Sequence, residues 1–316
     1  VEIATDTIYF RAWRINVGRC PLYLLDANLP ENPAHYRDLT LRVYGGDSTT
    51  RIQQEILLGI GGVKLLRALG EEPAVFHMNE GHAAFLALEL IREKMAGGKI
   101  FNDALAATRE ECTFTTHTPV PAGHDRFHSE LMSYSLNLYE KHLDLNHKEL
   151  MALGRLDAEA EQERFCMTVL ALNTARTANG VSELHGQVSR KMWQAKYDVP
   201  VDEVPIGHIT NGTHLLGWMS RPARDFWQPR LGNGPKFFER INDAEFWSQV
   251  ENPDFISDEE LWALRYRLRR ELIDFARGRL IDAPPHREGS FIQYDNLLDA
   301  DTLTIGFARR FATYKR

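Results

Sequence analysis

The sequence predicts an α/β fold with a mainly parallel sheet. Three observations carry this. Short apolar runs at 73–78, 112–116, 206–210 and 302–308 have the length of buried strands. Helical periodicity fills much of the chain between them, the alternation that builds βαβ units. Each run also gives way to a polar turn, so that Asn79, Glu80, His82, His117, Asn211, His214, Arg309, Arg310 and Lys315 all follow a strand. Ligands of open parallel sheets bind beyond the carboxyl ends of the strands. This convergence is the functional signal the residues give by themselves.

In chain order, residues 8–27 hold strand-like runs, Ile8-Tyr9-Phe10 and Leu22-Tyr23-Leu24-Leu25, closed by the breakers Asp26 to Pro30. A turn at 45–48 leads to a segment from Arg51, with Thr49 or Thr50 as its cap. Ile52, Ile56, Ile60, Val63, Leu66 and Leu69 recur there at helical spacing, and Gly70 is the expected stop. The paired Gly61-Gly62 costs roughly 1 kcal/mol per residue against Ala, which implies close packing or a break. The strand at 73–78 passes through the turn 79–82 into a helix at 83–96, with Phe85, Leu88, Ile91 and Met95 on one face. The strand at 112–116 opens into a proline-containing loop at 117–125. From 222 to 290 the character changes. Scattered aromatics precede a capping box, Ser257 with Glu260, and a long helix towards Leu280 striped by Leu261, Leu264, Leu268, Leu272 and Phe275. Its arginines interleave with acids, as on a solvated face.

Composition narrows the function. Of 316 residues 43% are hydrophobic and 26% charged, the balance of a globular chain. The net charge is −7, which argues against a nucleic-acid partner. No run approaches 18 apolar residues, so no membrane helix is expected. The chain begins Val1-Glu2-Ile3, without an initiator Met or the pattern of a signal peptide, and reads as a fragment or a processed chain. Cys20, Cys112 and Cys166 are odd in number and contain no C-x-x-C pair, which fits a reducing cytoplasm rather than a disulfide framework.

Several local patterns bear on chemistry. His124 and His128 have the i,i+4 spacing of a zinc pair, but no third ligand stands at a recognisable spacing, so a loop-to-helix cap with surface histidines is expected and no metal. There is no complete phosphate loop and no G-x-S-x-G elbow. Glu80 and His82 read equally as an acid–base pair or as a carboxylate complementing a helix start. Arg309, Arg310, Lys315 and Arg316 place four cations within eight residues, either an anion pocket or a solvated tail.

Five segments, taken together, resemble the α-glucan (glycogen, starch, maltodextrin) phosphorylase family, short bacterial type. They are 77–82 (His-Met-Asn-Glu-Gly-His), 115–124 (Thr-Thr-His-Thr-Pro-Val-Pro-Ala-Gly-His), 179–185 (Asn-Gly-Val-Ser-Glu-Leu-His), 209–213 (Ile-Thr-Asn-Gly-Thr) and 309–316 (Arg-Arg-Phe-Ala-Thr-Tyr-Lys-Arg). The resemblance covers nearly the whole chain and is weakest over 222–300. It implies an incomplete two-lobed glycosyltransferase fold (GT-B type) with Rossmann-like halves. Residues 1–215 would be the later part of the N-terminal lobe, and 216–316 linking helices and the first strand of the C-terminal lobe. It implies reversible, retaining phosphorolysis of terminal α-1,4-glucosidic bonds, giving glucose 1-phosphate. The partners would be α-1,4-glucan and inorganic phosphate, with pyridoxal 5′-phosphate as cofactor, a homodimeric parent and a cytoplasmic location.

Position by position, His117 resembles the histidine facing the glucose ring, and Asn211 an asparagine bonding a sugar hydroxyl. Glu80 and His82 match the acceptor side of the cleft, and Thr118 and Val181 join the substrate contacts. Arg310 and Lys315 match the cations on the substrate phosphate, while Trp218 and Arg309 match residues near the cofactor. Two positions depart: Ala312 stands where some members carry His, and Glu80 where others carry Asp. The lysine that forms the Schiff base has no counterpart in this sequence, so the chain alone is expected to turn over poorly or not at all. The rival readings are a sugar-nucleotide glucan synthase on the same fold and a non-catalytic glucan-binding module.

Overall fold

The computed structural model describes residues 1–42, 46–232, 235–241, 243–282 and 298–308. The chain divides into two compact units, Val1–Asn211 and Gly212–Arg316. The first unit opens with β1 (Glu2–Ile3) and β2 (Asp6–Thr7), which pair antiparallel. Next comes a hairpin of β3 (Arg11–Val17) and β4 (Cys20–Asp26), in register from Arg11↔Asp26 to Val17↔Cys20. Residues 8–10, expected as a strand, are not one. Ile8 is instead buried against the chain start, its amide donating to Val1 O at 2.7 Å and its carbonyl accepting from the Val1 amino group at 2.8 Å.

Helix α1 (Ala34–Arg37) is a single turn, and α2 (Ser48–Ala68) is the longest helix of this unit. The cap of α2 is Asp47 rather than Thr49 or Thr50: its Oδ1 accepts from Thr50 N at 2.9 Å and from Thr50 Oγ1 at 3.1 Å. Ile52, Ile56, Ile60 and Val63 face the core as their spacing predicts, while Leu69 lies exposed. The helix runs unbroken through Gly61-Gly62. Gly61 is closely packed, a Cβ there standing 3.2 Å from Val1 Cγ2, and Gly59 is tighter still, where a Cβ would meet Leu86 N at 2.7 Å. Gly62 faces open space.

The central sheet is parallel, as expected. Its strands are β5 (Phe76–Asn79), β6 (Cys112–Thr115), β9 (Thr177–Gly180) and β10 (Ile206–His208), in the order β10-β9-β6-β5. Helices α3 (Leu86–Ala96) and α4 (Phe101–Glu111) connect β5 to β6. A longer excursion through β7 (Arg126–Phe127), α5 (Ser129–His142), α6 (His147–Ala152), β8 (Phe165–Cys166) and α7 (Met167–Thr174) connects β6 to β9, and α8 (Glu183–Trp193) connects β9 to β10. Met78 and Phe114 are register partners and fully buried, in one core with Ile56, Ile60, Phe85, Leu88 and Ile91. Burying each such side chain contributes about 1.5–3 kcal/mol. Cys112 and Cys166 are free thiols in this core, and Cys20 is exposed.

The second unit is helical among its described residues: α9 (Leu215–Trp218), α10 (Arg221–Leu231), α11 (Pro235–Arg240), α12 (Ala244–Ser248) and α13 (Asp258–Asp282). A small core of Leu231, Phe237, Ile241 and Phe246 gathers Trp227 and Trp247, whose rings meet edge-on at 4.9 Å. The capping box of α13 forms as expected, with Ser257 N to Glu260 Oε2 and Glu260 N to Ser257 Oγ both at 3.2 Å. Its buried position is Ile273, however, while Leu272 and Phe275 of the expected stripe are exposed. Residues 302–308, expected as the first strand of a further lobe, form no strand. The alternating Leu303, Ile305 and Phe307 are 79–84% exposed, and no described residue offers that backbone a ladder. No helix among the described residues is long and apolar enough to cross a membrane.

Helix α8 lies so close to the end of β9 that a Cβ on Gly180 would stand 2.9 Å from both Gly186 N and His185 Nδ1. Substituting Gly180→Ala should therefore destabilise the first unit by about 1–3 kcal/mol, read as a lower urea midpoint. Gly62→Ala, facing open space within α2, should be neutral or stabilising in the same assay.

Candidate functional site at the strand ends

Because all four central strands are parallel, their carboxyl ends share one edge, and the hydrogen bonding continues past the strands. Glu80 N donates to Thr115 O at 2.9 Å, and Thr116 N to Asn179 O at 3.0 Å. Ile209 N donates to Gly180 O at 3.0 Å, and Asn211 N to Val181 O at 3.1 Å. Glu80, His117, Thr118, Val181 and Asn211, separate in sequence, are thereby set along one rim.

The Glu80 carboxylate ties the rim together. Oε1 accepts from the His117 backbone N–H and from Thr118 Oγ1, the latter at 2.9 Å, and Oε2 accepts from Gly81 N at 3.3 Å. Glu80 does this from φ 70°, ψ 170°, a backbone region that residues with a side chain rarely adopt. Of the two sequence readings, the carboxylate serves a helix start and the neighbouring turn, while His82 turns to other acids. His117 is exposed and its ring is oriented: Nε2–H donates to Asn79 Oδ1 at 2.6 Å, which leaves Nδ1 as the acceptor nitrogen. Beneath it, His77 Nε2–H donates to Thr115 Oγ1 at 2.8 Å, and that hydroxyl donates to Asn179 Oδ1 at 3.1 Å. At the far strand, Val181 N donates to His185 Nδ1 at 3.2 Å, so His185 carries its proton on the buried Nε2.

His82 belongs to a second cluster that spacing did not reveal. Its other members, Arg51 and Glu55 on α2 and Asp125 after the loop, lie far apart in sequence. Arg51 Nη2 is 2.8 Å from Glu55 Oε1 and 3.1 Å from Asp125 Oδ2. His82 Nδ1 is 3.1 Å from Asp125 Oδ2 and 3.5 Å from Glu55 Oε1. Burial pushes the Glu55 carboxyl up to about 7, reinforced by the charge of Asp125 and opposed by His82 and Arg51. Hydrogen bonds to Asp125 and Glu55 raise His82 to about 9 against its partial burial. Burial alone would raise Asp125, but hydrogen bonds from His82 and Glu55 and the charge of Arg51 outweigh it and hold that carboxyl far below its usual range. Glu55, His82 and Asp125 each offer a ligand atom within 4.8 Å of the others. Arg51 and the protonated His82 together balance the Glu55 and Asp125 carboxylates, so the cluster is charge-balanced without a metal ion. As for the expected zinc-type spacing, His124 is not a surface residue: it is buried, its Nδ1 2.8 Å from Thr168 Oγ1, and burial lowers it to about 4. His128 is exposed and precedes α5.

Arg309, Arg310, Ala312 and Lys315 lie outside the described residues. Trp218 is on α9 of the second unit with 84% of its surface exposed.

Comparison with known proteins bears on the chain as a whole. The chain is 40% identical over 317 residues to the maltodextrin phosphorylase of Thermococcus litoralis. It is 41% identical over 336 residues to the glycogen phosphorylase of Mycobacterium tuberculosis, and 32% over 319 residues to that of Aquifex aeolicus. Over its whole length the chain is similar to α-glucan phosphorylases. Each match takes in 100% of this chain but only 36%, 38% and 45% of the respective relative, so the chain spans less than half the length of the phosphorylases it matches. No family model matches.

The ionic cluster makes stability depend on pH. His82 and Glu55 both bind protons more tightly folded than unfolded, so their contributions are complete at low pH and fade as pH rises. The loss for Glu55 runs from about 4.5 to about 7, and for His82 from about 6.5 to about 9. His124, held neutral by burial, acts in the opposite sense: its contribution grows as pH rises from about 4 to about 6.5 and offsets the Glu55 loss there. Urea midpoints of the wild type should therefore fall between about pH 7 and 9, and the His82→Gln variant should be flat over that range. Below about pH 6.5 the Glu55→Gln variant should gain stability with rising pH where the wild type stays nearly level.

Proposed function

We propose that this chain is the glucan-facing segment of an α-glucan phosphorylase, an enzyme that uses inorganic phosphate to release glucose 1-phosphate from terminal α-1,4-linked glucose. The observation that carries the proposal is the rim itself. Five residues from four strand ends, each matching the family's motifs, form a row of hydrogen-bonding groups suited to sugar hydroxyls. The names of its relatives favour phosphorolysis over transfer from a sugar nucleotide.

Each rim residue has a task that follows from its bonds. Asn79 fixes the His117 ring, so that Nδ1 is the atom presented to a sugar hydroxyl donor. Asn211 has its backbone N–H committed to Val181, so its side-chain amide, both donor and acceptor, is the part available to a ligand. Glu80 positions the His117–Thr118 turn. Arg310 and Lys315 are the proposed cations for substrate phosphate, where a dianion must be held and charge develops during transfer. In the proposed parent, pyridoxal 5′-phosphate would supply a second phosphate group as acid–base partner to the substrate phosphate, with Trp218 and Arg309 as the residues of this chain proposed to hold it.

Two measurements test this. Calorimetric titration of the chain with maltoheptaose should show binding, weakened about tenfold or more by Asn211→Ala, the loss of roughly 1.4 kcal/mol. No binding, or binding indifferent to Asn211, contradicts the assignment of the rim. In the full-length parent, release of glucose 1-phosphate should depend strictly on added phosphate. There Lys315→Ala should raise the phosphate concentration required, and His117→Ala should lower turnover more than glucan affinity. An unchanged phosphate requirement in Lys315→Ala removes that residue from the anion site.

A further inference from the structure

A third constellation lies away from the strand ends, on the excursion between β6 and β9, and the rim makes no use of it. Helix α5 is not straight: Leu136, at φ −118° and ψ 18°, breaks it into two arms. Ser129 opens the first arm and Glu140 lies near the end of the second, and between them stands His147, the first residue of α6. The α6 start is fixed by a capping box in which Asn146 and Glu149 bond each other's backbone at 3.0 and 2.8 Å. His147 Nε2 is 2.7 Å from Ser129 Oγ, and His147 Nδ1 is 2.7 Å from Glu140 Oε1. Ser129 and His147 line a cavity of about 350 Å³, while Glu140 stands behind the ring.

We propose that Ser129, His147 and Glu140 form a Ser–His–Glu triad that hydrolyses short-chain acyl esters of polar alcohols. The order of contacts is that of an activated nucleophile: hydroxyl to base, base to an orienting carboxylate. Glu140 accepts from Nδ1–H, which leaves the Nε2 lone pair facing the Ser129 hydroxyl. In the acylation step Ser129 Oγ bonds to the carbonyl carbon and its proton passes to Nε2. The ester C–O bond then breaks, and the leaving alcohol takes that proton. In deacylation a water molecule gives a proton to Nε2 as its oxygen bonds to the acyl carbon. The Oγ–C bond breaks, Oγ recovers the proton, and the carboxylic acid leaves. Ester and water become acid and alcohol, with no oxidant or other co-reactant.

Developing negative charge on the carbonyl oxygen would be met by the first turn of α5. The amides of Ser129, Glu130 and Leu131 have no acceptor within a helix, and the preceding residue, His128, gives no side-chain cap. The substrate class follows from the walls. Lys148, Arg155, Glu161 and Arg164 line the cavity with polar groups, and Met151 is its apolar contribution. Such a space suits an acetyl-sized acyl group on a hydroxyl-rich alcohol rather than a fatty chain.

The test uses the 316-residue chain itself and does not depend on glucan binding. A fluorophosphonate probe should add once per chain, mapped to Ser129 by peptide mass. The rate should fall about 100-fold or more in His147→Gln, the scale of a lost general base, with the circular dichroism spectrum unchanged. Glu140→Gln, which keeps the side-chain shape, should also slow labelling. p-Nitrophenyl acetate should be hydrolysed faster than the octanoate, and Ser129→Ala should abolish both reactions. Absence of a Ser129 adduct on the folded wild type overturns the proposal without any variant. Equal labelling of His147→Gln overturns it too, since Ser129 would then be an ordinary surface hydroxyl. Preference for the octanoate overturns the short-chain assignment.

Discussion

The strand-end site depends on one carboxylate in an uncomfortable place. Glu80 sits at φ 70°, a backbone conformation that costs of order 1–3 kcal/mol for a residue with a side chain. The return is a set of hydrogen bonds to Gly81 N, His117 N and Thr118 Oγ1. Bonds to a charged acceptor contribute roughly 1.5–3 kcal/mol each. A glycine would relieve the backbone at Glu80 but would release the turn that carries His117. The conformation therefore makes sense as the means by which the end of β5 disciplines the end of β6.

Around that carboxylate the chemistry divides by burial. At the exposed rim stand the His117 ring, oriented by Asn79, and the Asn211 side-chain amide, with the buried Thr115 hydroxyl bonded to Asn179 close by. Two residues beyond Glu80, the chain dips inward and His82 enters a partly buried ionic cluster with Arg51, Glu55 and Asp125. Hydroxyl recognition needs directional donors and acceptors in reach of solvent. Buried charges need partners of opposite sign. In sequence Glu80 and His82 read equally as an acid–base pair or as a carboxylate complementing a helix start, and in the fold they serve opposite sides of this divide.

Much of the sheet was legible from residues alone because buried parallel strands write themselves as short apolar runs followed by polar turns. Glu80, His117 and Asn211 were legible as strand-end residues for the same reason, whereas β9 was not expected as a strand and Thr118 and Val181 came only from the family resemblance. The ionic cluster was not, since its members lie 31 and 43 residues apart in pairs that only the packing of α2 onto the loop brings together. The start of α2 was misplaced because Asp47, Thr49 and Thr50 are all acceptable caps, and only geometry shows that Asp47 accepts from Thr50. Residues 302–308 carry a strand's alternation without a strand, because a ladder needs a neighbour that local pattern does not supply. The kink at Leu136 left no mark in the periodicity of α5, and with it the Ser129–His147 contact stayed hidden.

The strand order carries a kinetic consequence. Strand β10, the last of the four in the chain, pairs only with β9 among the described residues and there forms one edge of the sheet. Asn211 reaches the rim only through the amide bond to Val181 that extends this final pairing. The rim therefore cannot be assembled piecemeal from the amino terminus. During synthesis, residues 76–180 can pair among themselves while the far end of the rim is still unmade, and the sheet edge at β9 stays uncovered for that interval. Parallel pairings over such sequence distances close slowly and leave exposed edges open to wrong partners. Recognition at this surface is thus coupled to the completion of the fold.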